Sequence, residues 1–326
     1  MTASAADRVD SPQVSVLLPV RDAEPWLAWT LADLSAQQRV SFEVLAVDDG
    51  SQDNSRAQLE QWARRDRRFR VFEGHGRGAA AALNLALEQA SAPFIAHMEA
   101  DDRCVPVRLV ALKQALEALP EGHAVCSQAG LLGPASDGMR SYVNWQNRLL
   151  DAGQHRRGRF VEIPALHQTG MYHAAFLRRL GGYRDDPRWP LDIDFWMRFF
   201  AEGGEVMKLP EIFYLWRQHE RQSTRTSPRH RQTALRHCKA HFFVNGPGHQ
   251  RPIEILSVGE SLVRWQEALH QAGARDVIVT PWQRGLPTPK RAAGAVRLCV
   301  FGKQRARQRV LDSLPDYERE LDWFAG

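Results

Sequence analysis

The chain has 326 residues, 44% of them hydrophobic and 25% charged, with a formal net charge of +5 and a pI near 9.2. Those values exclude a fibrous, largely disordered or membrane-embedded chain, and the length leaves room for one large domain and a smaller one. The basic excess favours anionic partners without choosing among them, and nothing beyond net charge points to nucleic acid.

The opening residues "MTASAADRVDSP" are small and polar, so residues 1–12 are expected to be disordered. Next, "VSVLLPV" reads as a buried strand and "WLAWTLADLSAQ" as a helix. "FEVLAVDD" is a second strand, followed by the turn-rich "GSQDNS" and the helix "RAQLEQWARRD". "RFRVFE" is a short strand, "GAAAALNLALEQA" a helix and "PFIAHME" another strand. Strand–helix alternation of this kind predicts a mostly parallel sheet with helices on both faces, and such sheets collect ligands at the carboxyl ends of their strands. "VPVRLVALKQAL" predicts a helix with Asp102 as its cap. From about 130 to 190 the chain reads as loop-rich, with helices near "WQNRLLDAG" and "AAFLRRLGG". "DIDFWMRFFAEGG" predicts a helix started by Asp192, "IFYLWRQ" a strand, and "RHRQTALRHCKAHFFV" a closing helix. After a linker near 245–252 a strand–helix–strand pattern restarts at "IEILSVG" and ends in a helical tail. The expected division is therefore 13–245 for the large domain and 246–326 for a small α/β unit.

Two acidic clusters stand at strand ends. Asp48 and Asp49 follow one strand; Glu99, Asp101 and Asp102 follow another. Carboxylates this close need protons, hydrogen bonds or a cation to coexist. All-oxygen donors suit magnesium or manganese, and magnesium typically joins one or two carboxylates to substrate phosphates. One "DD" alone reads as a turn; two clusters on neighbouring strands read as a site that bridges an ion and a diphosphate. The four cysteines are far apart and form no CxxC pair, so no zinc or dithiol site is expected, and free thiols fit a reducing compartment.

Four ordered motifs carry a resemblance. "VSVLLPVRDAEPWLAWTLADLSAQ", "FEVLAVDDGSQDNS", "RGAAAALNLALEQASAPFIAHMEADD" and "GGYRDDPRWPLDIDFWMR" together resemble a family 2 glycosyltransferase over residues 14 to about 225. The resemblance implies the GT-A fold: a mixed, mostly parallel sheet flanked by helices. It implies transfer of a sugar from a nucleotide-diphosphate donor to an acceptor hydroxyl, with inversion and with Mn2+ or Mg2+. By the same resemblance Pro19, Val20 and Asp22 would border the base and ribose, and Asp49, with Asp48 beside it, would contact the nucleobase. Asp101 would ligate the metal, with His219 as a second ligand, and Glu99 stands where the family usually has Asp. Asp192 would be the general base, with Leu191 where the family commonly has Glu, and Asp194 the alternative on the acceptor side. Arg77, Arg217, His219 and Arg225 would lie near the diphosphate, whose departure as a leaving group builds negative charge. His167 matches a family position but reads as a packed histidine. Of three tryptophans able to stack on sugars, Trp145, Trp189 and Trp196, the last reads as core and Trp189 as the acceptor candidate.

The small C-terminal unit resembles a shortened Rossmann-like appendage. Gly259 stands alone where a dinucleotide site would want G-x-G-x-x-G, so the expected role is packing, dimerisation or acceptor guidance. The implied partners are a nucleotide-sugar and a saccharide or lipid-linked acceptor, in surface polysaccharide or glycolipid assembly. The implied place is the cytoplasm, with contact at the inner face of the membrane. Two other readings compete: a catalytically silent sugar-nucleotide-binding scaffold, suggested by Leu191 and Glu99, and a nucleotidyltransferase, disfavoured because "PVRDAEP" has no glycines.

Overall fold

The computed structural model describes residues 11–186, 188–222, 228–257, 259–282, 287–301, 310 and 321–326. Its strands are β1 (Val14–Val20), β2 (Phe42–Asp48), β3 (Phe69–Glu73), β4 (Phe94–His97), β5 (Arg103–Cys104), β6 (His123–Leu132), β7 (Gly170–His173), β8 (Glu205–Arg217), β9 (Ile253–Ser257), β10 (Val277–Pro281), β11 (Val296–Val300) and β12 (Asp322–Ala325). Its α-helices are α1 (Glu24–Ser35), α2 (Ser55–Arg65), α3 (Ala79–Gln89), α4 (Arg108–Glu117), α5 (Asp137–Asn147), α6 (Ala152–Gly158), α7 (Ala174–Arg179), α8 (Leu191–Ala201), α9 (Gln232–Val244) and α10 (Glu260–Gln271). Contacts divide the chain into two compact units. The first is Met1–Leu150, Ala165–Asp185 and Gly204–His219; the second is Asp151–Pro164, Asp186–Gly203 and Glu220–Gly326. The expected step at 245/246 is not where this division falls. The reason is the aromatic helix α8, buried from Ile193 to Phe200, which packs on α9, which in turn packs on α10.

The first unit holds an eight-stranded sheet in the order β3-β2-β1-β4-β7-β6-β8-β5. Strands β3, β2, β1 and β4 run parallel, and both faces of this part are covered. That is why β1 and β2 read as mostly apolar runs rather than alternating ones, with every residue of both buried. One face packs Val14, Val16 and Leu18 against Leu27, Leu31 and Leu34 of α1 and Leu109, Leu112 and Leu116 of α4. On the other face α3 covers β1 and β2. Strand β7 pairs antiparallel with β4 and β6, so the sheet is mixed.

Several expected elements differ. The helix expected near "WQNRLLDAG" is a break between α5 and α6, because Asp151 caps α6: its side chain accepts from Gln154 N while Gln154 reaches back to Asp151 N. The stretch read as loop-rich contains the end of β6 and all of β7. Asp102 does not cap α4, whose N-cap position is Val107 with no side-chain cap. Helix α8 begins at Leu191, so Asp192 lies in its first turn rather than at its cap.

The second unit holds a parallel four-stranded sheet in the order β10-β9-β11-β12. Its last strand, "DWFA", is fully buried beside β11 where a helical tail was expected; most of that tail, with the basic run at 303–309, lies outside the described residues. Residues 1–10 of the polar N-terminus lie outside them as well. No helix among the described residues is long and apolar enough to cross a membrane.

Candidate active site

The carboxyl ends of β2, β1 and β4 lie on one edge of the first unit's sheet. The two acid-bearing strands are not neighbours, as expected, but flank β1: Val20 pairs with Asp48 on one side and Leu17 with His97 on the other. The ladder carries on past the strands, with Asp49 N donating to Val20 O at 2.8 Å and Met98 N to Leu17 O at 3.0 Å.

Pro19 and Val20 are buried and form the floor of this edge. Asp22 is exposed and left-handed (φ 50); its Oδ1 accepts from Gln52 N at 2.7 Å, tying the loop after β1 to the loop after β2. Asp48 and Asp49 are buried, and Oδ1 of each has no hydrogen-bond partner among the described residues. Asp49 Oδ2 accepts from Gly78 N at 2.8 Å. Gly74 lies so close that a Cβ there would stand 2.9 Å from Asp49 Oδ1. An orphaned buried acceptor beside a glycine is a place for a ligand's N–H donor. Arg77 is exposed at the mouth of α3, with Nε donating to Gly74 O at 3.2 Å.

The acids after β4 are held individually. Asp102 is fully buried, accepting from Tyr214 Oη at 2.7 Å and from Arg217 N at 2.7 Å. It therefore anchors the acid turn to β8. Arg217 Nε donates to Asp101 O at 2.6 Å, and its guanidinium stands over the Trp29 ring. Asp101 Oδ2 is 2.8 Å from His219 Nε2, and the His219 ring stacks on Trp26 at 4.1 Å. Burial raises the carboxyl pKa of all three acids: Glu99; Asp101, where Glu99 adds to the rise; and Asp102, well above its usual value, where Asp101 adds to it. Arg225 lies outside the described residues.

Sequence reading missed Tyr214, Arg108, Trp26 and His97. The alternation of inward Tyr214 and Trp216 along "IFYLWR" was the available signal for the first, since a buried tyrosine hydroxyl needs a partner. Arg108 is fully buried in α4 and donates through one nitrogen to His97 O and Gln168 O, each at 2.7 Å. His97 is fully buried and His167 nearly so; their rings lie 4.4 Å apart, and burial pushes both imidazoles down to about 3. His167 is packed, as its sequence context suggested.

The remaining expected site residues belong to the second unit. Asp192 is half-buried in the first turn of α8; burial raises its carboxyl, and Oδ1 accepts from Ile193 N at 2.8 Å. Asp194 has a fully buried side chain, with Oδ2 bound by Arg198 Nε at 2.8 Å. Trp189 is 5% exposed, with the Arg188 guanidinium 4.3 Å from its ring centroid and His241 and Phe242 beside it. Trp196 is core, as expected. A cavity of about 430 Å³ in this unit, lined by Arg156, Arg159, Arg251, Phe200 and Trp323 among others, contains none of the acids above.

The model of the family "Glycosyl transferase family 2" matches residues 15–180. The putative glycosyltransferase EpsE of Bacillus subtilis (strain 168) is 30% identical over 211 residues, covering 64% of this chain and 73% of EpsE. The putative teichuronic acid biosynthesis glycosyltransferase TuaG of the same strain is 32% identical over 128 residues, 39% of this chain and 50% of TuaG. Among solved structures, residues 1–349 of S. aureus TarS, crystallised with UDP-GlcNAc, superpose with a TM-score of 0.58 at 18% identity, covering 72% of this chain and 67% of that one. That likeness is one of fold, and it matches the GT-A architecture. With half of its length under the family model and a relative 30% identical that it covers to 73%, the chain belongs to glycosyltransferase family 2.

Proposed function

We propose that this protein transfers a sugar from a nucleoside diphosphate donor to an acceptor hydroxyl, with inversion, in the assembly of a surface polysaccharide or glycolipid. The observation that carries the reading is the pair of acid clusters flanking β1, one with two orphaned buried acceptors and the other with Asp101 beside His219. A donor's base fits the first: an N–H group of the base donates to Asp49 Oδ1, with Pro19 and Val20 as the floor and Asp48 beside it. Asp22 keeps the bordering loops in register.

The second cluster fits a divalent ion. Asp101 Oδ2 and His219 Nε2, 2.8 Å apart, offer an oxygen and an imidazole nitrogen, a donor set that Mn2+ accepts and Mg2+ tolerates. Such an ion, when bound, offsets the charge of the departing diphosphate. Arg217 holds the acid turn in place through Asp101 O, and Arg77 brings positive charge to the mouth of α3. Asp192 is the proposed general base, taking the proton of the acceptor hydroxyl; its raised pKa moves it toward the range where a carboxylate base works well. UDP-GlcNAc in the TarS crystals and teichuronic acid in the name of TuaG support a nucleotide-sugar donor and a surface-polymer setting. Leu191 in place of the family's usual Glu keeps the silent-scaffold reading open to test.

The test is a thermal-shift panel of UDP, GDP and their sugar conjugates, with and without Mn2+. A ligand that binds only the folded state adds about 2.7 kcal/mol at a hundredfold excess over its Kd, so binding raises Tm, more so with Mn2+. No response to any nucleotide overturns the reading. Asp101→Asn loses the Mn2+-dependent part; Asp192→Asn keeps donor binding and loses transfer. Donor binding without hydrolysis or transfer by the unaltered protein favours the scaffold.

A further inference from the structure

We propose that His97, Glu99 and His167 form a binding site for one zinc-class transition-metal ion, separate from the Asp101–His219 pair and independent of the nucleotide donor. The inference goes beyond the transferase reading and stands without it. Three protein donors, two imidazole nitrogens and one carboxylate oxygen, lie within 4.8 Å of one another. His97 Nε2 and Glu99 Oε1 are 3.2 Å apart. Two ligands on a tetrahedral zinc at about 2.0–2.1 Å stand about 3.3 Å from each other, so this pair already has the spacing of a shared ion.

His97 is the second observation. Its side chain is fully buried, yet neither ring nitrogen makes a hydrogen bond; the contact with Glu99 has the distance but not the direction of one. Buried polar atoms of native proteins are nearly always satisfied, and a metal at Nε2 satisfies one that the protein leaves open. Glu99 is the exposed side of the cluster, with 35% of its side chain accessible, which gives an ion a way in and leaves room for water as a fourth ligand. The sequence argued against zinc only through cysteine spacing; this set uses none.

The surroundings fix the donors in place. Arg108 Nη2 donates both to His97 O and to Gln168 O, next to His167, so one buried guanidinium clamps the two imidazole-bearing segments. Tyr172 Oη donates to His167 O at 2.8 Å. Holding ligands from behind in this way is a common companion of metal sites. The charge of Arg108 counts against a second cation, and the site therefore needs an anion among its donors, which Glu99 supplies. This also gives a physical reason for Glu99 where the family usually has Asp. One further methylene lets the carboxylate reach His97, and an aspartate at that position would fall short.

The experiment uses the full chain stripped of metal with a chelator and titrated with Co2+ or Zn2+, with no nucleotide present. One equivalent is expected to bind, and Co2+ is expected to give the intense visible absorption of a four-coordinate site. His97→Gln, His167→Gln and Glu99→Asp should each weaken binding at least tenfold, while Asp101→Asn and His219→Gln should leave it unchanged. Excess Mg2+ should not displace the ion, since imidazole donors favour zinc and cobalt. Should a histidine variant fail to fold, the spectrum of the unaltered protein and its survival in Asp101→Asn remain decisive. Absence of a tight Co2+ equivalent, or loss of it in Asp101→Asn with retention in the histidine variants, overturns the proposal. The nucleotide panel can fail while this succeeds, and the reverse.

Discussion

At the residue scale, Asp192 offers a pH dependence with a definite sign. Burial raises its carboxyl pKa above the ordinary 3.8, and His230 opposes that rise. In the proposed role of base Asp192 must be ionised, so turnover is expected to fall as pH drops through the raised value, placing the acid limb of kcat/KM above the usual carboxylate range. Stability runs the other way. Between 3.8 and the raised value the folded state holds a proton that the unfolded state has released, so this group's contribution declines as pH rises through that window. Asp192→Asn keeps an acceptor for Ile193 N and carries no charge. Its Tm should exceed that of the unaltered protein at about pH 8, with the gap closing below about pH 4. Calorimetry across that range checks it; a gap that widens toward acid would show the shift to have the opposite sign.

At the element scale, the buried ion pair of the second unit's sheet is the sharpest case. Glu254 on β9 and Arg297 on β11 are register partners, each side chain about 2% exposed, joined by Nε–Oε2 at 3.0 Å and Nη2–Oε1 at 3.3 Å. Thr280 Oγ1 and Ala292 N complete the carboxylate's bonds, and Pro289 O takes one from the arginine. Removing one member leaves the other charged and buried, so Glu254→Ala should cost about 3–5 kcal/mol, read from urea unfolding. A well-packed double replacement, Glu254→Met with Arg297→Met, should recover much of that loss. The same scale shows which elements the sequence disclosed. Strands β1, β2 and β4 were legible because burial on both faces makes them mostly apolar, with only Ser15, Glu43, Asp48 and His97 as polar members. Strand β6 was not: Ser127 and Gln128 interrupt "HAVCSQAGLL" where its register with β8 shifts around Pro210, so neither an apolar run nor clean alternation survives. Strand β12 was hidden because a four-residue strand gives too short a pattern to tell from a helix end.

At the scale of the whole molecule, the sequence disclosed the acids but not what holds them. Asp102 looked like a cap because capping is local; its true partner, Tyr214, is 112 residues away. The order that puts β1 between β2 and β4 is likewise set by long-range pairing. Charge is the other property of the whole chain. A formal +5 coexists with acids gathered at one sheet edge, so basic groups dominate elsewhere. Arg64, Arg65 and Arg67, at the end of α2 and just after it, are exposed and have no carboxylate within ion-pair distance among the described residues, whereas Arg68 and Arg70 are paired with Asp66 and Glu43. If the proposed acceptor is lipid-linked, this surface is where an anionic bilayer would be met. The chain should then co-sediment with phosphatidylserine vesicles and not with neutral ones. Binding should fade as salt shortens the screening length from about 10 Å at 0.1 M to about 3 Å at 1 M. Changing the three arginines to glutamate moves the formal charge from +5 to −1, each substitution counting for two charges, and should abolish co-sedimentation. Nucleotide affinity should hold, because none of the three belongs to the acid edge. Undiminished co-sedimentation of that variant would assign the membrane contact to another surface, and loss of nucleotide binding with it would mean that the exchange had disturbed α2 itself.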